Sequence, residues 1–429
     1  MHRTLNKIKS HQHYNKALYW FKAISITGLA QVIVQAVGFA CGILIIRLLP
    51  TKEYALYTLA NTMLGTMAVL ADGGISTGVM SQGGKVWQDN EKLGVVLATG
   101  LDLRRKFAFV SLIVSTPILF YLLLHNGASL LMAVLIVLSL IPAFYAALSD
   151  SLLEIVPKLH QSILPLQKNQ VIVGIGRLFI SALTLFVFPW TFVAILAGGF
   201  PRMFGNIKLR KMTYGFVDKK QKPDSNTRKE ILKLVKRILP GSIYFSVSGQ
   251  ITIWLISIFG KATSVAQMGA LGRIAMLLSV INVIIATLII PRFARLIENK
   301  KTLFIRFIQI ISGLVFLLSI IITFTYLFPN QILWILGKQY IELSHELILT
   351  IIGSCLSLIA GVIFGLYTCK GWMINPLIYI PLNISSIIFS LIIFNISTLT
   401  GILYLNILVA TIQIVVNSIY ITIKINTLY

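Results

Sequence analysis

Residues 104–124 read RRKFAFVSLIVSTPILFYLLL, a burst of three basic residues followed by eighteen residues without a charge. An apolar run of about 18–20 residues matches the hydrocarbon thickness of a bilayer, so this stretch predicts a transmembrane helix. Loops rich in Lys and Arg stay in the cytoplasm, so the burst places the start of this helix on the cytoplasmic side. The same alternation of basic bursts and apolar runs recurs along the chain.

The composition is that of a polytopic membrane protein. Hydrophobic residues make up 57% of the 429 residues, charged residues make up 12%, and the mean hydropathy is +0.87. A soluble domain carries about 25% charged residues. The net charge of +24 is spread over short loops, which argues against a nucleic-acid-binding face. A transmembrane β-barrel would instead show alternating segments of about ten residues.

The apolar runs predict an all-α fold of twelve transmembrane helices. They cover residues 24–46, 56–80, 107–124, 129–148, 171–188, 190–207, 239–259, 266–290, 306–328, 347–369, 376–395 and 401–423. Of the 37 Lys and Arg, 31 lie at the termini or in every second loop, four lie on the opposite side, and two lie inside spans. This split predicts that both termini are cytoplasmic. The first span follows a basic segment without a cleavage site, so we expect it to be retained.

Six spans lie on each side of a polar midpoint segment, which predicts two halves in the same orientation. The expected organisation is an N-terminal six-helix bundle at 1–210, a cytoplasmic linker at 211–238 and a C-terminal six-helix bundle at 239–429. In the linker, Thr227-x-x-Glu230 matches a capping box. Apolar residues follow at helical spacing with basic residues on the other faces. This pattern predicts a basic amphipathic helix that lies on the anionic leaflet, or an ordinary helical linker.

Signatures of catalysis and of metal binding are missing from the sequence. It contains no GxxxxGK[ST], HExxH or CxxC, and the six histidines lie outside the predicted spans. The three cysteines lie singly in apolar segments and read as small buried hydrophobes. Missing motifs do not exclude an enzyme, but nothing in the sequence argues for one, and we expect no catalytic residues, bound metal or cofactor.

Charged residues within the spans are the main candidates for function. A charge in a span is costly and normally faces a cavity or a partner. Asp72 lies in the second span before Gly73-Gly74, Arg177 in the fifth and Arg273 in the eighth. The alternative is structural, because Arg can reach the headgroups and Asp can pair with a neighbour or cap a helix break.

The two arginines suit an anionic cargo, since guanidinium is permanently charged and matches phosphate oxygens in a bidentate way. Three glutamines in the spans add neutral groups that suit sugar hydroxyls, although such residues also hydrogen-bond between helices. The candidate substrate-binding residues are Arg177, Arg273, Asp72, Gln31, Gln35 and Gln250.

The loop after the first span carries a family resemblance. The sequence IRLLPTKEYALY at 46–57, followed by LADGGI at 70–75, resembles the "aRlLgp-eyGly … ladlGl" pattern of bacterial polysaccharide flippases of the Wzx type. RILP at 237–240 and GALGRI at 269–274 resemble that family's "lPl" and "vGlYs-a-ki". These flippases belong to the superfamily that includes multidrug and toxin extruders and the lipid II flippase.

The chain departs from the family pattern in three places. Leu49 stands where the family has Gly before Pro50, and Gly73 stands where Leu is usual. Many relatives carry a charged pair late in the seventh span, whereas residues 250–254 here read QITIW. No role of that pair is carried over to this chain.

The resemblance implies two six-helix bundles around a central cavity in a bacterial inner membrane. The implied substrate is an undecaprenyl-pyrophosphate-linked oligosaccharide, which is a repeat unit of O-antigen in lipopolysaccharide, of capsule or of exopolysaccharide. The protein would move it from the cytoplasmic to the outer leaflet by alternating access, with H⁺ or Na⁺ coupling left open. Expected partners are this lipid-linked glycan, membrane lipids, a polysaccharide polymerase and a chain-length regulator, but no nucleic acid.

Two other functions stay open. A MATE-like exporter of organic cations needs acidic residues in its spans, but only Asp72 is available and the arginines would repel cations. A membrane polysaccharide polymerase or acyltransferase would be expected to carry a long outer loop with catalytic Arg or His. The longest outer loop here, at about 329–346, is short.

Overall fold

The computed structural model describes residues 32–294, 296, 299–370, 372 and 374–427, and within them it contains helices but no strand. The α-helices are α1 (Val32–Leu48), α2 (Thr51–Asp72), α3 (Ile75–Gly83), α4 (Asn90–His125), α5 (Leu130–Leu153), α6 (Ile155–Leu159), α7 (Ile163–Val187), α8 (Thr191–Thr213), α9 (Ser225–Ser248), α10 (Ile251–Phe259), α11 (Ala262–Ala275), α12 (Ser279–Ile284), α13 (Ile290–Ala294), α14 (Lys300–Leu327), α15 (Pro329–Leu336), α16 (Ser344–Thr368), α17 (Pro376–Ile393) and α18 (Leu399–Asn426).

The twelve predicted spans all coincide with helix where the chain is described. Among the described residues, nine helical segments are long and apolar enough to cross a membrane, judged by length and composition alone. The other three spans are α1, whose described part is short, α8, which has basic residues in its last turn, and the pair α9 and α10. The prediction of an all-α fold with twelve spans is confirmed.

Several helices run well beyond their apolar runs. The helix α4 begins at Asn90, although the predicted third span begins at 107, and α9 begins at Ser225 and continues into the seventh span. Once a helix has formed, each further residue adds a hydrogen bond without a new nucleation step. The helix therefore continues past the hydrocarbon, whereas hydropathy detects only its apolar part.

Three spans are interrupted. Gly73 (φ 50°) and Gly74 (φ 95°) separate α2 from α3, and these left-handed backbone angles favour glycine. Gly249-Gln250 separates α9 from α10. The eighth span continues from α11 through a 3₁₀ turn and α12 into a π-helical segment at Ile285–Ile289. Interrupted helices at membrane depth need partners for the backbone groups that they release.

The chain forms two compact units that do not follow the order of the spans. Unit 1 comprises the described residues up to 44, Met67–Ser115 and Ile136–Ser242. Unit 2 comprises Ile45–Thr66, Thr116–Leu135 and the described residues from 243 onward. The bundle boundaries expected from the sequence, at 210 and 238, stay a prediction.

In unit 1 the helix α9 packs on the protein through its apolar face. Ile231 and Val235 are buried in a cluster that joins them to α3, α4, α5 and α8. A Cβ added at Gly78 of α3 would lie 2.8 Å from Ile231 Cγ2, so the two helices pack closely there. Lys229, Lys233, Lys236 and Arg237 of α9 remain exposed, whereas Arg228 is half-buried. The interpretation that the apolar face of this helix lies on lipid is wrong, because that face is already covered.

The start of α9 also differs from the sequence pattern, because Asp224 caps the helix. Its Oδ2 accepts the backbone N–H of Thr227 at 2.8 Å and the Thr227 hydroxyl at 3.0 Å. These hydrogen bonds, the backbone one above all, lower the pKa of Asp224. The capping box predicted at Thr227 is wrong, because a carboxylate is a stronger acceptor than a hydroxyl.

In unit 2, helix ends from the first six spans bind to the last six. Arg47 Nη2 donates to the Trp334 carbonyl at 2.7 Å, and its Nε donates to the Ile335 carbonyl at 3.0 Å. Asn126 Nδ2 donates to Ser257 Oγ at 2.7 Å. The topology predicted from the basic loops would put these groups on the outer side. Polar contacts between helix ends therefore join the two sequence halves within unit 2.

We predict that Gly78→Ala destabilises unit 1 by about 1–3 kcal/mol, because the new methyl group overlaps Ile231. The matched control is Gly65→Ala in α2, where an added Cβ meets nothing within 4 Å. That substitution should be neutral or stabilising by up to about 1 kcal/mol, since Gly costs a helix entropy. Thermal unfolding of both purified variants in detergent tests this packing, and equal melting temperatures would contradict it.

Candidate functional site

Asp72 lies at the interruption of the second span. It is the last residue of α2, and its Oδ1 accepts the backbone N–H of Ser76 at 3.1 Å and the Ser76 hydroxyl at 2.6 Å. The side chain therefore satisfies a backbone group at the start of α3, where the glycine pair leaves N–H groups without helical partners. Its geometry is that of a cap.

The charge of Asp72 is balanced by Arg104, a residue that sequence reasoning placed in a cytoplasmic loop. Arg104 Nη1 lies 3.2 Å from Asp72 Oδ1 and 3.2 Å from Ser76 Oγ, and it also donates to Ser151 Oγ. Arg104 is only 4% exposed, because α4 begins at Asn90 and carries the residue into the packed interior. The basic residues at 104–106 predict topology, but one of them, Arg104, is buried and has a structural role.

Other carboxylates on the helices of unit 1 are paired as well. Asp102 Oδ2 lies 2.7 Å from Arg228 Nη2, which ties α4 to α9. Asp150 Oδ2 lies 2.9 Å from Arg202 Nε, and Asp150 Oδ1 accepts the Asn206 amide at 2.6 Å. These ion pairs join helices of unit 1 to one another, so the carboxylates have a structural role. Sequence reasoning missed them because the partners lie far apart along the chain.

Arg177 lies in the middle part of α7 and is half-buried. The helix begins at Ile163, eight residues before the predicted span, so Arg177 lies roughly 20 Å from its start at 1.5 Å per residue. The guanidinium packs against α8, since a Cβ added at Gly198 would lie 3.3 Å from Arg177 Nε. The small residue makes room for the charged group between two span helices.

Arg273 lies near the end of α11, where the regular helix of the eighth span gives way to the 3₁₀ turn. Its side chain hydrogen-bonds Tyr54 of α2. One turn earlier, a Cβ added at Gly269 would overlap Thr58, so α11 and α2 approach closely. Arg273 is half-buried in unit 2.

The glutamines occupy different surroundings. Gln35 is half-buried on α1, and Gln31 lies outside the described residues. Gln250 lies at the interruption of the seventh span, where it precedes α10 without capping it through its side chain. Among the six candidates, Asp72, Arg177 and Gln35 belong to unit 1, whereas Arg273 and Gln250 belong to unit 2.

In the part of the chain that the structure describes, no group of three or more His, Cys, Asp or Glu side chains is arranged to hold a metal ion. The candidate groups of the two units are arginines on span helices, carboxylates of unit 1 that are ion-paired, and a neutral polar group at an interrupted helix of unit 2. This chemistry can attract and orient an anion.

Comparison with known proteins shows a likeness in fold. No family model matches the chain, and no curated protein matches it. A multidrug resistance MATE family transporter of the MOP superfamily, solved in an inward-facing conformation, superposes with a TM-score of 0.60 at 15% identity, covering 92% of this chain and 96% of that one. A MATE in complex with MaD5 gives a TM-score of 0.63 at 16% identity, covering 95% and 97%.

A third solved structure is a MOP superfamily transporter from Pyrococcus furiosus, for which a reverse polarity of the binding pocket suggests a different function. It superposes with a TM-score of 0.59 at 17% identity and covers 94% of this chain and 96% of that one. These three solved structures are thus a MATE family transporter, a MATE and a MOP superfamily transporter. Identities this low establish a shared fold and leave the substrate to be argued from the residues.

We predict that Arg104→Met destabilises the protein by about 2–3 kcal/mol, because it leaves Asp72 without its cation. This figure is below that of a fully buried pair, since the Asp72 side chain is 27% exposed. Asp72→Asn in the Arg104→Met background should restore part of the loss, as expected for coupled residues. Lys106→Met is the control, because its pair with Asp102 is exposed and contributes little.

The measurement is thermal unfolding of the wild type, both single variants, the double variant and the control. It gives the coupling free energy between Arg104 and Asp72. Additive effects of Arg104→Met and Asp72→Asn would show that the two side chains do not act as a pair.

Proposed function

We propose that this protein is a flippase that moves an undecaprenyl-pyrophosphate-linked oligosaccharide from the cytoplasmic to the outer leaflet of a bacterial inner membrane. The cargo would be a repeat unit of a surface polysaccharide. The fold supports a multi-pass transporter rather than an enzyme, because its structural neighbours are transporters. The family resemblance at 46–57 and 70–75 supports the lipid-linked cargo.

The observation that carries the proposal is the sign of the charges on the span helices. Arg177 and Arg273 are half-buried within spans. Asp72, the acidic candidate, is paired with Arg104. An anionic pyrophosphate gains charge-assisted hydrogen bonds from guanidinium groups, whereas an organic cation would be repelled.

The expected cycle is alternating access with both termini in the cytoplasm. The contacts of Arg47 and Asn126 in unit 2 lie at helix ends that the predicted topology would put outside. Release of cargo to the outer leaflet would require such contacts to open. The Arg47 hydrogen bonds involve a charged group and contribute about 1.5–3 kcal/mol each, and the Asn126 hydrogen bond contributes about 1 kcal/mol, so the binding energy of the cargo would have to offset them.

A cation-coupled exporter of small molecules is the second candidate, and the fold favours it as much as it favours a flippase. It is weakened by the paired state of Asp72 and by the two arginines on the spans. Drug-resistance assays on cells that express the protein separate the two functions.

We predict that Arg177→Ala and Arg273→Ala each reduce surface polysaccharide about 10- to 100-fold, since a hydrogen bond to a charged group contributes about 1.5–3 kcal/mol. Lysine at either position should retain part of the activity, because the charge remains while the bidentate geometry is lost. Arg306→Ala is the matched control, because this arginine is exposed at the start of α14 and bonds only Gln309 among the described residues.

The assay complements a deletion strain and measures surface polysaccharide and the leaflet position of lipid-linked repeat units. Accumulation on the inner leaflet supports flipping. Normal polysaccharide from both alanine variants would overturn the assignment of the arginines. Normal polysaccharide in the deletion strain, together with drug export by the wild type, would favour the exporter.

A further inference from the structure

A polar cavity lies within unit 2, where the interrupted seventh span meets α16, α17 and α18. Its volume is about 310 Å³, and all of its lining residues lie between 244 and 413. Ligand pockets for small molecules range from roughly 300 to 1,000 Å³, so this one suits a single ring-sized group. None of the candidate residues named from the sequence lines it, although Gln250 lies between two lining residues.

The lining combines hydroxyl and amide groups with two tyrosine rings and no charge. The polar side chains are those of Tyr244, Ser248, Thr252, Ser357, Tyr379, Asn406 and Gln413. The remaining lining residues are small or aliphatic, such as Ile387 and Ala410. Hydroxyls and amides both donate and accept hydrogen bonds, and a tyrosine adds an apolar ring face.

Hydrogen bonds behind the cavity fix the orientation of its amides. Gln413 Nε2 donates to Asn383 Oδ1 at 2.9 Å, and Asn383 Nδ2 donates to the Tyr379 carbonyl at 2.7 Å. Asn383 is 1% exposed, so this support is rigid. Its orientation leaves Gln413 Oε1 as the acceptor available to the cavity. Asn406 makes no side-chain hydrogen bond to another described residue, so its amide is available to a ligand.

The helix interruption forms one wall of the same cavity. Gly249, Ile251 and Thr252 line it, and α10 begins at Ile251 without a side-chain cap. The cavity therefore lies directly against the point where the seventh span is interrupted.

This lining selects against most ligand classes. A cation would require carboxylates, and an anion would require Arg or Lys, but the lining contains neither. An apolar ligand would leave the Asn406 amide and Gln413 Oε1 without partners, which costs free energy. A neutral molecule with several hydroxyl groups satisfies the donors and acceptors together.

We propose that this cavity is a binding subsite for a neutral sugar unit of the glycan cargo, with Asn406 and Gln413 as its hydrogen-bonding residues and Tyr379 as its ring contact. The inference rests on the proposed function and deepens it. Arginines would attract the pyrophosphate, whereas this site would recognise the sugar without any contribution from charge.

The test is equilibrium binding of soluble sugars to the purified full-length protein in lipid nanodiscs. The probes are a neutral panel, D-galactose, L-rhamnose and N-acetyl-D-glucosamine, and a charged pair, D-glucuronate and glucose 1-phosphate. Saturation-transfer NMR reports weak binding directly. We expect saturable binding of at least one neutral sugar in preference to both charged probes.

Two variants should weaken that binding about tenfold or more, Asn406→Leu and Gln413→Leu, because each removes hydrogen bonds while conserving volume. Thr411→Val is the matched control on the same helix, since Thr411 is exposed and its hydroxyl bonds only the Ile407 carbonyl among the described residues. Thermal unfolding confirms that each variant is folded, and Asn406→Gln serves as a second, conservative variant that should retain part of the binding.

Absence of saturable binding of every neutral sugar would overturn the inference, as would equal binding by wild type and both leucine variants or a preference for the charged probes. These outcomes are separable from those of the polysaccharide assay. Loss of sugar binding with normal flipping removes only the subsite. Sugar binding by a protein whose deletion leaves polysaccharide unchanged removes only the proposed flippase function.

Discussion

Backbone N–H and C=O groups need hydrogen-bonding partners inside hydrocarbon, and the structure depends on this constraint wherever a span is interrupted. Continuous helices such as α14 and α18 meet it internally. At Gly73-Gly74 the carboxylate of Asp72 takes over as acceptor for the Ser76 N–H. At Gly249-Gln250 the interruption opens into a cavity lined by hydroxyls and amides. The irregular places in the spans are therefore also the places where polar chemistry collects.

The same low-dielectric setting governs the charges. A lone charge within a span is costly, whereas a paired one can be kept if its partner is well placed. Asp72 with Arg104 and Asp150 with Arg202 follow this rule and hold helices of unit 1 together. In the proposal, the cargo is bound by arginines on the span helices, because their charge is opposite to that of a pyrophosphate. The proposal therefore assigns cargo binding to Arg177 and Arg273 and a structural role to Asp72.

The proposed cargo has two chemically different parts, a charged pyrophosphate and a neutral glycan. The described residues include different binding groups for each part. Guanidinium groups on α7 and α11 suit pyrophosphate, whose charge is permanent near neutral pH. The neutral cavity in unit 2 suits sugar hydroxyls, for which selectivity comes from the number and direction of hydrogen bonds. A division of this kind would let one transporter hold a lipid-linked glycan by its head and by a sugar at the same time.

The sequence alone determined the all-α class, the twelve spans and the positions of Arg177 and Arg273, because apolar runs and basic loops are local signals set by bilayer thickness and topology. It also pointed to the glycine interruption after Asp72, since Gly73-Gly74 is a local backbone feature. Only the tertiary structure decided that Arg104 is buried against Asp72, that the apolar face of α9 is covered by α3, and that Asn406 and Gln413 share a cavity. Each of these depends on residues distant in sequence that packing brings together, and hydropathy carries no information about which helix faces which. Side-chain packing determines which helices contact one another, whereas the partition between water and lipid determines which segments cross the membrane.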